Sequence, residues 1–176
     1  DKAMKIYQAI LDAIENQRKS GKFEVAIKNY QLFLAEEPND VKACFGLAAA
    51  YHSKGQLNEA ISQYNAILKT HPDSAVVHNN IGVIYLEKDK IDAALDAFDK
   101  ALNYDSALSE AYNNRANAYL RQGLLESAME GYTSRTSYFS TPFQYSVRAI
   151  EVSFPSYVPS QVRLHAYQNT DFFCIY

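Results

Sequence analysis

The sequence contains no tryptophan, two cysteines, six glycines and five prolines in 176 residues. No apolar run approaches the roughly 18 residues that a membrane-spanning helix needs. Cys44 and Cys174 lie far apart, in neither a CxxC pair nor a metal-ligand spacing, which predicts free thiols in a cytoplasmic chain. Glycine-rich phosphate loops are missing. A formal charge of -3 and an acidic pI of about 5.8 offer no clustered positive surface, so nucleic acid is excluded as a partner. The chain opens at Asp1 without an initiator methionine, which reads as a fragment or processed chain, so a missing targeting segment carries little weight.

Lysine is also missing from the end. None occurs after Lys100. Residues 133–176 carry only Glu151 and Asp171 as acids and Arg135, Arg148 and Arg163 as bases, but ten aromatic residues and three of the five prolines. The composition breaks near Tyr132.

Before that break the chain repeats itself every 34 residues. Units 7–40, 41–74, 75–108 and 109–140 align Ala26, Ala60, Ala94 and Ala128 in one column and Tyr30, Tyr64, Phe98 and Tyr132 in another. Phe23, Leu57, Ile91 and Leu125 form a third column; Ala48, Gly82 and Ala116 form a column of small residues. Gly21, Gly55 and Gly123 fall mid-unit, with Asp89 in the third, and Pro38 and Pro72 close two units. The 3.6-residue spacing of Ala60, Ile61, Tyr64, Ile67 and Leu68 predicts a helix. Glycine ends a first helix and proline ends a second, so each unit is a helical hairpin. One hairpin cannot bury its apolar sides, whereas a stack can.

In "CFGLAAAYHSKGQLNEAISQYNAILKTHP" and "HNNIGVIYLEKDKIDAALDAFDKALNYD" the chain resembles the tetratricopeptide repeat (TPR) family over residues 7 to 132. Ile10, Cys44, His78 and Tyr112 replace the family's tryptophan. The resemblance implies an all-α, right-handed superhelix of about 3.5 to 4 repeats, the last one degenerate, over residues 1–140. First helices would line a concave groove that binds an extended peptide.

In the family's register unit one presents Gln8, Leu11, Asp12, Glu15 and Arg18 to the groove; unit two presents Lys42, Phe45, Gly46, Ala49 and His52. Unit three presents Val76, Asn79, Asn80, Val83 and Leu86, and unit four Glu110, Asn113, Asn114, Asn117 and Leu120, with Arg121 at the edge. An amide donates and accepts, so Asn79, Asn80, Asn113, Asn114 and Asn117 suit contact with a peptide backbone or a bridge between helices. The TPR arm of O-linked N-acetylglucosamine transferase carries a similar asparagine ladder. Lys42 and Arg121 would supply charge, and Phe45 and Leu86 apolar contact or the rim of the core. Glu110 opposes the carboxylate-gripping mode of TPR co-chaperones, because it stands where a cation is required.

Catalytic and metal chemistry find no support. His71 and His78 straddle a helix boundary, and Cys44, His52 and Ser53 have no acid placed to orient the histidine. The series Asp89, Asp92, Asp96 and Asp99 reads as a solvated helix face. The expectation is therefore a non-enzymatic protein-interaction scaffold without cofactor or metal. Two alternatives are the substrate-recognition arm of a larger enzyme such as a glycosyltransferase, and a module forming homo-oligomers through its tail or array ends. Residues 141–176 form a non-TPR tail. There Thr141, Pro142 and the stripe Phe143, Val147, Ile150 and Phe154 fit a capping helix over 142–153, while the alternation Ile150, Val152, Phe154 fits a strand.

Overall fold

A computed structural model describes residues 2–136 as helices and turns, with side chains placed from residue 5 to 132. The tail 141–176, with the capping helix expected over 142–153, lies outside the described residues, as does the end of the fourth unit. Among the described residues there are eight helices and no strand: α1 (Lys2–Lys19), α2 (Phe23–Glu36), α3 (Val41–Ser53), α4 (Leu57–Thr70), α5 (Ala75–Glu87), α6 (Ile91–Tyr104), α7 (Ser109–Arg121) and α8 (Leu125–Thr136). Each odd-numbered helix pairs with the next, and each even-numbered helix packs on the odd one that follows. The result is a helical-repeat superhelix.

The hairpin turns share one hydrogen-bond pattern. Gln56 N–H bonds Tyr51 C=O at 2.9 Å and Gly55 N–H bonds His52 C=O at 2.8 Å. The same pair of bonds recurs at Lys22 and Gly21, at Lys90 and Asp89, and at Leu124 and Gly123. It closes a helix only if one residue adopts positive φ. Gly55 does so at 82°, and Asp89, the non-glycine member of the column, at 56°. At the other kind of junction Asp40 caps α3, its carboxylate accepting from Ala43 N–H at 2.6 Å and from the Tyr7 hydroxyl.

Packing follows the columns. Ala26, Ala60, Ala94 and Ala128 have no exposed surface. Phe98 is also fully buried, and a Cβ added to Gly82 would lie 2.5 Å from its ring. Here the two helices of a hairpin approach so closely that only glycine fits. The seams between hairpins are apolar too: Tyr64 and Ile67 of α4 pack with Val77, Ile81 and Ile84 of α5.

A second periodicity is polar. Lys54 bonds Glu24 at 3.3 Å, Lys88 bonds Asn58 at 2.6 Å, and Gln122 bonds Asp92 at 2.7 Å. In each case the residue before a turn reaches the first turn of the preceding hairpin's second helix, 30 residues back. These exposed rungs contribute little energy apiece and fix the rotation of one layer on the next.

Within the first layer, Glu15 binds Arg18 through both carboxylate oxygens, at 2.9 and 2.6 Å, and accepts from the Tyr30 hydroxyl at 3.1 Å. The Arg18 bonds hold the Glu15 carboxyl below its ordinary value of 4.5, against the opposing effect of burial. Burial, followed by the nearby Glu15 charge, pushes the Tyr30 hydroxyl upward.

Four outcomes are expected in urea unfolding. Gly82→Ala should lose about 1–3 kcal/mol, because the fully buried Phe98 ring would have to shift to admit the methyl group. Asp89→Gly should gain up to about 1 kcal/mol by relieving left-handed backbone, whereas Gly55→Ala should lose about 1 kcal/mol although its Cβ meets nothing. For Glu15 a lowered folded value means stabilisation that is present above about pH 4.5 and lost as pH falls through that folded value. Unfolding midpoints of the wild type and Glu15→Gln should therefore differ most above pH 4.5 and converge in stronger acid.

Candidate functional site: the concave face

The odd-numbered helices touch one another, α1 with α3 and α5 with α7, on the face that the repeat register makes the inner one, and polar bonds tie each to the next. Lys42 of α3 pairs with Asp12 of α1 at 3.4 Å. His52 of α3 meets Glu87 of α5 at 2.8 Å. Between α5 and α7, Asn114 donates to Asn79 at 3.0 Å and Arg121 donates to the Leu86 carbonyl at 2.8 Å.

The aromatic column adds a second set of ties from behind. Tyr132 donates to Asn117 at 2.6 Å, as Tyr30 does to Glu15; Asn117 and Glu15 share a repeat position. In unit two that position is Ala49, which cannot accept, and the Tyr64 hydroxyl instead receives a bond from Asn80 of the next layer at 3.3 Å. In unit three the position is Val83, and the aromatic residue is Phe98, without a hydroxyl. Each of the three buried phenols thus has a hydrogen-bond partner on an odd-numbered helix, as the desolvation cost of a buried hydroxyl requires, whereas at Phe98 the next layer's Asn114 bonds Asn79 instead.

These ties locate the residues expected from the repeat register. Asn79 is 7% exposed and Leu86 9%, so both belong to the packing. Leu86 lies in the core with Ala94, Phe98 and Ala118. Leu11, also assigned to the groove, is buried among Ile14, Ile27 and Tyr30. Asn80, Asn113, Asn114 and Phe45 are partly exposed, while Asn117, Lys42 and Arg121 are exposed. The Phe45 ring meets Tyr64 edge-on at 5.5 Å. Among the described residues Asn113 makes no side-chain hydrogen bond, and the other partly exposed amides retain donor or acceptor capacity beyond the bonds named.

One residue escaped the sequence reading. Arg115 occupies the column of Leu47 and Ile81, both buried. It lies 5.5 Å from the Tyr112 ring and bonds Asp99 at 2.7 Å, while its buried Nε has no partner among the described residues. The break in an aliphatic column was the available signal.

The remaining reactive groups are dispersed. Burial raises the Cys44 thiol, which disfavours the thiolate. His78 bonds the Pro72 carbonyl at 2.9 Å and stacks on Tyr104, while His71 bonds Thr70. Among the described residues no three His, Cys, Asp or Glu side chains converge as metal ligands, and no helix is long and apolar enough to cross a membrane.

Comparisons with known proteins agree with this architecture. A tetratricopeptide repeat profile matches residues 17–79, and a TPR repeat profile matches residues 82–123. No curated protein sequence matches. Among solved structures, a MamA protein is 24% identical, with a TM-score of 0.72 over 92% of this chain and 86% of its own. MamA from Desulfovibrio magneticus is 17% identical, with a TM-score of 0.67 over 74% of this chain and 73% of its own. A thermophilic TPR protein of Thermus thermophilus is 23% identical, with a TM-score of 0.68 over 80% and 77% respectively. At these identities the likeness is one of fold. Repeat period, turn geometry and both profile matches agree that the chain belongs to the tetratricopeptide repeat family, whose arrays are scaffolds for protein–protein contact.

Proposed function

We propose that the concave face holds an extended segment of a partner protein, with the amides of α5 and α7 bonding its backbone. The observation that carries this reading is the state of those amides. Asn80, Asn114 and Asn117 are each held by one internal hydrogen bond, to Tyr64, Asn79 and Tyr132 respectively. An amide so anchored loses little further rotamer freedom when it meets a guest. Each keeps bonding capacity for an N–H or C=O of an extended chain. Such contacts read backbone rather than side chains, which suits a scaffold. Among the other expected contact residues, exposed Lys42 and Arg121 frame the two ends of this surface and Phe45 contributes ring area. Asn79 supports the site from behind through Asn114. Leu86 contributes through its carbonyl, which orients Arg121.

The test is peptide binding by fluorescence anisotropy on a library of synthetic nonapeptides. Asn113→Ala and Asn117→Ala should each weaken bound peptides about fivefold, the worth of one hydrogen bond. Thermal unfolding of Asn113→Ala should change little, because its partly exposed side chain makes no hydrogen bond among the described residues. Peptides bound equally well by the wild type and by the double variant would show that another surface is used.

A further inference from the structure

The inner face is chemically graded along the array, and the gradient describes the segment it accepts; this rests on the groove reading above. One rim row runs through Gln8, Lys42, Val76 and Glu110, one residue per layer. Lys42 is already paired with Asp12. Val76 is 47% exposed. Glu110 is exposed and makes no ion pair among the described residues. Behind this row, α3 and α5 present the partly exposed Phe45, Ala49 and Val83. At the equivalents of Ala49 and Val83 the outer layers carry Glu15 and Asn117. The middle of the concave face therefore carries an apolar patch of Phe45, Ala49, Val76 and Val83 beside its polar groups, while an exposed carboxylate without an ion pair stands over the last described layer.

From this juxtaposition we infer that the partner segment carries one apolar residue, seated over Val76, Phe45 and Val83, and a lysine or arginine that meets Glu110. Charge complementarity sets the second feature, since a lone exposed acid attracts a cation and repels a carboxylate. The spacing follows from the repeat. Packed helices lie about 8–10 Å apart and the apolar seat spans α3 and α5, about one and a half layers from Glu110 on α7; at about 3.3 Å per residue that is roughly four residues between the two side chains. The gradient also sets direction, because reversing the segment would carry its cation towards Lys42. The occupant is thus an extended segment with an apolar residue and a basic residue at that separation.

The probes are fluorescein-labelled nonapeptides of serine and alanine. One carries leucine followed four residues later by lysine, a second has glutamate for the lysine, and a third has serine for the leucine. At low salt the leucine–lysine peptide should bind the wild type roughly five- to tenfold more tightly than its glutamate counterpart, the scale of an exposed charge contact and its reversal. Glu110→Gln should abolish that preference and Glu110→Lys should invert it. Val76→Ser should weaken the leucine peptide while leaving the serine peptide unaffected. Circular dichroism of each variant guards against loss of fold, since Glu110 also sits in the first turn of α7. If Glu110→Lys leaves the lysine preference intact while Asn113→Ala still weakens binding, the charge assignment is overturned and the groove reading stands. If none of the peptides binds at millimolar concentration, both are overturned.

Discussion

The structure depends on the contact between an aromatic side chain and the small residues beside it. Tyr30, Tyr64, Phe98 and Tyr132 each enter the space that Ala26, Ala60, Ala94 and Ala128 leave one turn earlier, and there each aromatic is at most 9% exposed. Where the approach is tightest, at Gly82 against Phe98 and at Gly46 against Tyr30, even a methyl group would overlap the ring. An aromatic residue buried this way joins its own hairpin to the next one, so every seam is also a hairpin's interior. No layer is finished without its neighbour. That condition turns four similar hairpins into a curved array rather than a bundle.

The concave face inherits its chemistry from those seams. A phenol buried at a seam needs a hydrogen-bond partner, and the nearest ones are the inward-facing residues of the odd-numbered helices. Glu15, Asn80 and Asn117 are held in this way, and beside Phe98, which has no hydroxyl, Asn114 is held by Asn79 instead. Anchoring the amides serves the packing first. It also leaves them fixed in orientation on an accessible surface, with part of their bonding capacity unspent. On the proposed reading, structure and binding capacity come from the same bonds.

Much of this was written in the sequence. The period placed the helices because glycine, alanine and aromatic columns each have a steric reason to recur, and Asp89 could be recognised as a left-handed turn residue by its place in the glycine column. The polar rungs were equally visible as paired columns, Lys54, Lys88 and Gln122 against Glu24, Asn58 and Asp92, once the 30-residue offset is known. What the sequence left open was depth. Asn79 and Asn80 are adjacent and chemically identical, yet one is 7% exposed and the other sits at the surface. A rotation of about 100° per residue separates them, and the angle between layers decides which of the two turns inward. Leu11 and Leu86 went into the core for the same reason. Arg115 was hidden for a different one, because a charged residue in an aliphatic column is intelligible only once Asp99 and the Tyr112 ring are seen beside it.

The side-chain amide groups of the asparagines offer a direct test of the account, since they occur on both surfaces of the array. Nitrogen-15 NMR of the wild type during titration with the leucine–lysine nonapeptide should shift the side-chain NH2 signals of Asn80, Asn113, Asn114 and Asn117. Those of Asn65 and Asn103, exposed on α4 and α6, should remain still. Shifts confined to Asn65 and Asn103, with the α5 and α7 amides unmoved, would contradict the claim that the inner face is the binding surface.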